Sequence, residues 1–125
     1  MDDNKSILRD IRASVGLTED TIDFDIDLIM HVNVALSKLN QNGVGLPVIV
    51  TDDTTTWGDF KDPLQVKGNE FFKMVPLFVA LSTRVIFDPP PPSAVEYFGN
   101  SIEQILWRLK IAYEEPYTTT TTTLY

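Results

Sequence analysis

Four consecutive prolines, Pro89-Pro90-Pro91-Pro92, restrict this chain more than any other feature. Each lacks a backbone N–H and holds φ near −65°, so the run can lie in the interior of neither a helix nor a sheet. Strongly apolar segments flank it on both sides. Upstream, Glu70 to Phe87 carries Phe71, Phe72, Val75, Phe78, Val79, Ser82, Val85 and Ile86, which predicts a central helix of four to five turns. Pro76 inside that pattern predicts either a kink or a helix that begins near Val75. Downstream, Val95, Phe98, Ile102, Ile105, Leu106, Leu109 and Ala112 recur at three- and four-residue intervals. They predict a last helix capped by Ser93 and ending near Tyr113. The prolines could serve an aromatic groove as an extended ligand, but their place between two apolar helices favours a stiff connector.

The rest of the chain repeats the helical theme. Ile7, Leu8, Ile11 and Val15 predict a short amphipathic helix with Arg9, Asp10 and Arg12 on its other side and Gly16 as its stop. A second helix, capped by Asp23 or Asp25, should bury Leu28, Ile29, Val32, Leu36 and Leu39 and end near Asn42-Gly43. An irregular insert follows over about 43–69. Within it Leu46 to Val50 is the one plausible strand, and Thr55 to Phe60 predicts a helical turn that sends Trp57 and Phe60 to the core. After Pro116 the chain reads Tyr117, six threonines, Leu124 and Tyr125. That composition favours extended backbone and offers no apolar face. The expected fold is therefore all-α: a small bundle of four main helices over residues 1–115, with an extended tail over 116–125.

Charge and composition narrow the function. At 125 residues the chain is one domain. Ten Lys and Arg against eighteen Asp and Glu give −8, the opposite of a surface that grips nucleic-acid phosphates. Without cysteine there is no thiolate nucleophile or zinc site, and histidine chemistry would rest on His31 alone. The acidic start Met1-Asp2-Asp3-Asn4-Lys5 does not resemble a signal peptide, and Phe71 to Phe87 is too short and too interrupted to span a bilayer.

Several clusters imitate chemistry. Asp23, Asp25 and Asp27 match the start of a calcium loop, but Leu28 stands where the turn needs glycine and Val34 where a bidentate glutamate should be. Asp27 and His31 share a helix face without a second pair of ligands, so a surface contact is the better reading. Asp52, Asp53, Asp59 and Asp62 are acids in a Thr- and Gly-rich loop with no partner to split their pKa values, which argues against acid–base catalysis. Gly43-Val44-Gly45 lacks the remainder of any phosphate-binding fingerprint and reads as a turn. No catalytic, metal or cofactor site is expected. The tail is different, because Tyr117, Thr118, Thr119, Thr120, Thr121, Thr122, Thr123, Leu124 and Tyr125 form a segment suited to adding a strand to a partner's sheet.

The order of these elements resembles the phage head–tail connector, or adaptor, family. The resemblance covers about residues 5–114. It is carried by Ser6-Ile7-Leu8-Arg9-Asp10-Ile11-Arg12, the aspartate-led second helix, Thr55-Thr56-Trp57-Gly58-Asp59-Phe60, and Val85-Ile86-Phe87-Asp88 before the prolines, followed by Glu103-Gln104-Ile105-Leu106-Trp107-Arg108-Leu109. It implies a structural protein of the virion neck and no enzyme. Such a protein is assembled in the host bacterial cytoplasm as a ring, usually of twelve copies, between the portal and a stopper or tail-completion protein. It also implies that the C-terminal segment reaches the portal, and the net charge of −8 suits DNA passing through the ring without specific binding. Residues 1–62 carry twelve acids and five bases, against six and five in 63–125. Asp52, Asp53, Asp59 and Asp62 are thus candidates for an acidic channel or interface. A different class that also suits a small acidic chain is a DNA mimic or an inhibitor of a host or phage enzyme.

Overall fold

A computed structural model describes the backbone of residues 4–62, 64 and 73–123, and side chains as far as Tyr113. Five helices are present among them: α1 (Ile7–Ser14), α2 (Asp25–Gln41), α3 (Trp57–Phe60), α4 (Met74–Phe87) and α5 (Pro92–Thr123). The all-α class is as expected, and α4 is central, packing against α1, α2 and α5.

Local chemistry sets the boundaries of the first two helices. The Ser6 hydroxyl accepts from Arg9 N–H and starts α1. At the other end Leu17 N–H donates to Arg12 C=O and Gly16 N–H to Ala13 C=O, a Schellman cap around Gly16 at φ +92°. α2 closes the same way, with Val44 bonded to Leu39 and Gly43 to Asn40. Its start departs from expectation. Phe24 occupies the cap position without a side-chain bond, and Asp25 is the first helical residue because its carboxylate is committed elsewhere, to Arg12.

The predicted strand at 46–50 is not formed. A strand needs a neighbour to satisfy its ladder, and here a side chain takes that place. Asn33 on α2 donates from Nδ2 to Val50 C=O at 2.9 Å and accepts Val50 N–H on Oδ1 at 2.8 Å. Leu46 N–H reaches Phe60 C=O at 2.7 Å, and Asn40 Nδ2 holds Gly45 C=O at 3.0 Å. The sole bridge of β type among the described residues is Ser6 with Thr56. It is built from Ile7 N–H to Thr55 C=O and Trp57 N–H to Lys5 C=O, and it stitches the insert to the start of α1.

α3 matches the predicted turn. Thr56 and Asp59 form a reciprocal capping box, and Trp57 and Phe60 are fully buried. The indole Nε1 donates to Asp10 Oδ2 at 2.8 Å, so the ring buries its area without orphaning its N–H. Pro76 is the third residue of α4, where its missing N–H has no intrahelical acceptor to lose, and no kink is required. Phe71 and Phe72, expected in this helix, lie outside the described residues.

The proline run needs one correction and the tail another. Pro92 belongs to α5 as its first residue, the position where a fixed φ suits a helix, so Ser93 is inside the helix and does not cap it. The backbone of α5 does not stop near Tyr113 but continues as helix through Thr123. Tyr117 to Thr123 are therefore not extended. Once α5 is nucleated and anchored by Leu109, Ala112 and Tyr113, each further residue except Pro116, which has no N–H to donate, adds a hydrogen bond at low cost, and these bonds offset the modest helix penalty of threonine. Leu124 and Tyr125 lie outside the described residues.

Two glycines in one turn should respond differently to alanine. Gly43 has φ +84° with open space at its Cβ position, whereas a Cβ on Gly45, at φ +75°, would fall 2.3 Å from the Phe60 ring. Chemical denaturation should find Gly43→Ala about 1 kcal/mol less stable and Gly45→Ala at least about 2 kcal/mol less stable, because only the second must also displace a core ring.

Candidate functional site

The most densely bonded polar centre lies where α1, the start of α2 and the 51–54 turn meet. Arg12 follows Leu8 by four residues and precedes Val15 by three, which places it on the buried stripe of α1; it is only 2% exposed. The expected outward orientation is thus corrected. Its Nε and Nη2 donate to Asp25 Oδ1 and Oδ2 at 3.0 and 2.6 Å, a two-pronged pairing. Nη1 donates to Glu19 C=O at 2.7 Å and lies 3.7 Å from Asp53 Oδ2. The hydrogen bonds that Arg12 donates to Asp25 raise the guanidinium pKa above its ordinary value against the opposing effect of burial. On the rim Arg9 meets Asp20 at 2.9 Å and Glu19 at 3.6 Å. Sequence spacing alone could have found Arg12, since it shares a face with Leu8 and Val15.

The acids singled out as a channel or interface are separately employed. Asp52 accepts from both the N–H and the hydroxyl of Thr54, which lowers its pKa. Asp53 faces Arg12, Asp59 caps α3 through Thr56 N–H, and Asp62 accepts from Leu64 N–H at 2.9 Å. Asp25 leaves the calcium-like trio for Arg12, while Asp23 and Asp27 face solvent. Among the described residues no group of three metal-ligating side chains gathers, and no helix is long and apolar enough to cross a membrane. Of Tyr117 to Tyr125 the structure gives a helical backbone to Thr123, and their side chains lie outside the described residues.

The surface holds what the periodicity argument overlooked: apolar residues on the far side of core helices. Opposite its buried face, α2 exposes Ile26 (84%), Met30 and Val34 (63%). Met30 and Val34 line a shallow groove with Asn33, Ser37, Lys38 and Gln41. On α5, Trp107 (64%) and Ile111 are exposed, and Trp107 shares a second groove with Glu103, Gln104 and Arg108. A 3.3 Å ion pair between Lys38 and Glu103 joins the two helices between these grooves. Spacing at i, i+4 and i+8 in Ile26-Met30-Val34 was visible in the sequence but was masked by the stronger core pattern beside it.

Two substitutions probe this chemistry. Arg12→Ala should cost about 3 kcal/mol in urea unfolding, and Arg12→Lys most of that, because a lysine cannot reproduce the fork. Burial pushes the Tyr113 hydroxyl up to about 12. Folding then favours the neutral phenol, so its contribution is intact below pH 10 and declines as pH rises from 10 to 12. Unfolding of wild type and Tyr113→Phe should show a wild-type deficit that widens across that window and is absent at pH 8.

A model of the phage connector protein family matches residues 7–116. No curated protein and no solved structure matches the chain. The family match spans α1 to α4 and α5 as far as Pro116, and includes the Arg12 centre and both exposed apolar grooves. The chain belongs to the phage connector protein family, whose role is structural.

Proposed function

We propose that this protein is the adaptor of a virion neck, assembling as a ring beneath the portal and joining the capsid to a stopper or tail-completion protein. The observation that carries the reading is the family match over residues 7–116. Two features of the chain support it. Exposed apolar grooves on α2 and α5 suit a protein made to be covered by partners. An excess of acids in residues 1–62 suits a wall past which DNA slides, since counterion release on binding needs cations.

Within this reading, Tyr117 to Tyr125 contact the portal, Tyr117 to Thr123 as the end of α5 in place of an added strand. Asp52, Asp59 and Asp62 face the channel or a neighbour, while Asp53 is partly occupied by Arg12. Electron microscopy of the full chain mixed with its phage's portal should show a ring docked on the portal. Deleting residues 117–125 should abolish docking without unfolding residues 1–116. A one-to-one complex with a DNA-handling enzyme, dissociated by salt, would instead identify a DNA mimic. A ring whose channel is lined by Lys5, Arg9 or Lys38 would overturn the proposed path of DNA.

A further inference from the structure

We infer that neighbouring copies of this chain meet head to tail, the acid-flanked apolar patch on α2 of one copy seating against the base-flanked apolar patch on α5 of the next. This assignment rests on the ring reading above and names the two faces that would build it.

The two patches differ in charge. Ile26 and Met30 lie beside exposed Asp23 and Asp27, while Trp107 and Ile111 lie beside exposed Arg108 and Lys110. Arg108 and Lys110 form no ion pair among the described residues, and Glu103 next to them is already matched by Lys38. Each patch thus offers what the other lacks: apolar area at its centre and opposite charge at its rim.

Their positions rule out satisfaction within one copy. Phe24 packs edge-to-face on Phe87 with ring centres 5.4 Å apart, so the start of α2 lies beside the end of α4. The short Asp88–Pro91 connection then returns α5 along α4, parallel to α2, and the Lys38–Glu103 pair fixes their alignment. From Ile26 to the level of Lys38 is about 18 Å of helix, and Trp107 lies about 6 Å beyond. Patches that far apart on one molecule, each complementary to the other, make a heterologous contact, which propagates to a ring or a filament and does not stop at a dimer. In a closed ring each copy makes two such contacts, so a contact too weak to hold an isolated pair suffices for the assembly.

The absence of native cysteine makes the test direct. Concentrated full-length chain carrying both Ile26→Cys and Ile111→Cys should yield, on mild oxidation, a ladder of trimers and larger species on a non-reducing gel, and either single variant should not. Adding Arg108→Glu and Lys110→Glu should abolish the ladder, and further adding Asp23→Lys and Asp27→Lys should restore it. Dimers alone, dimers from Ile26→Cys by itself, or a ladder indifferent to charge reversal would overturn the inference. Multimers seen by sedimentation of wild type without any ladder would overturn these faces while leaving the ring reading intact. Monomers by both measures would overturn the inference, and the ring reading would then be decided by the complex with the portal.

Discussion

The Arg12 fork is the constraint on which the arrangement of the N-terminal half depends. A guanidinium removed from water is tolerated only when its donors are met, and here one carboxylate takes two of them and a backbone carbonyl a third. Those acceptors come from the loop after α1 and from the first residue of α2. Satisfying Arg12 therefore fixes where α2 begins and how it leaves α1. Asp53 extends the same field to the insert, which is also tied to α1 through the Ser6–Thr56 bridge and the Trp57–Asp10 bond. An insert with little regular structure of its own is thereby held against α1 at three points.

What could be read from sequence follows from which physical effect dominates at each position. Where periodic burial decides, the reading holds: Ile7, Leu8, Ile11 and Val15, Leu28, Val32, Leu36 and Leu39 of α2, and Trp57 with Phe60 are buried, and Ile29 is partly buried against them. Glycine stops at 16 and 43 also hold, because a positive φ is a local demand. The readings fail where a distant partner decides. Arg12 looked like a polar-face residue, although its spacing from Leu8 and Val15 puts it on the buried stripe, because its charge argues for solvent until Asp25, thirteen residues away, is brought to it. Leu46 to Val50 has the composition of a strand, and only the fold brings Asn33 to it in place of a second strand. At the tail, β-favouring threonine composition is overridden by continuity with an anchored helix.

The candidate site was less legible than the fold, for a related reason. Asp52, Asp53, Asp59 and Asp62 stand out in sequence as a cluster, yet each has a separate local task in a turn, a cap or an ion pair. Clustered acids in a loop are what turn and cap chemistry requires, so their density says little about a ligand. The apolar surface of α2 is the opposite case. Leu28, Val32 and Leu39 bury one side, and Ile26, Met30 and Val34 expose the other, so the helix is apolar on two faces while one face suffices for its own core.

That second face bears on which contacts between copies of the chain are favoured. Exposed apolar area drives association without selecting a partner, and it competes with the repulsion between copies that each carry −8. Most of that charge is in residues 1–62, the half that includes the α2 patch, so two α2 patches repel while an α2 patch and the α5 patch do not. Charge then supplies the specificity that the apolar contact lacks, disfavouring symmetric pairing and leaving head-to-tail contact as the arrangement in which both effects act in the same direction.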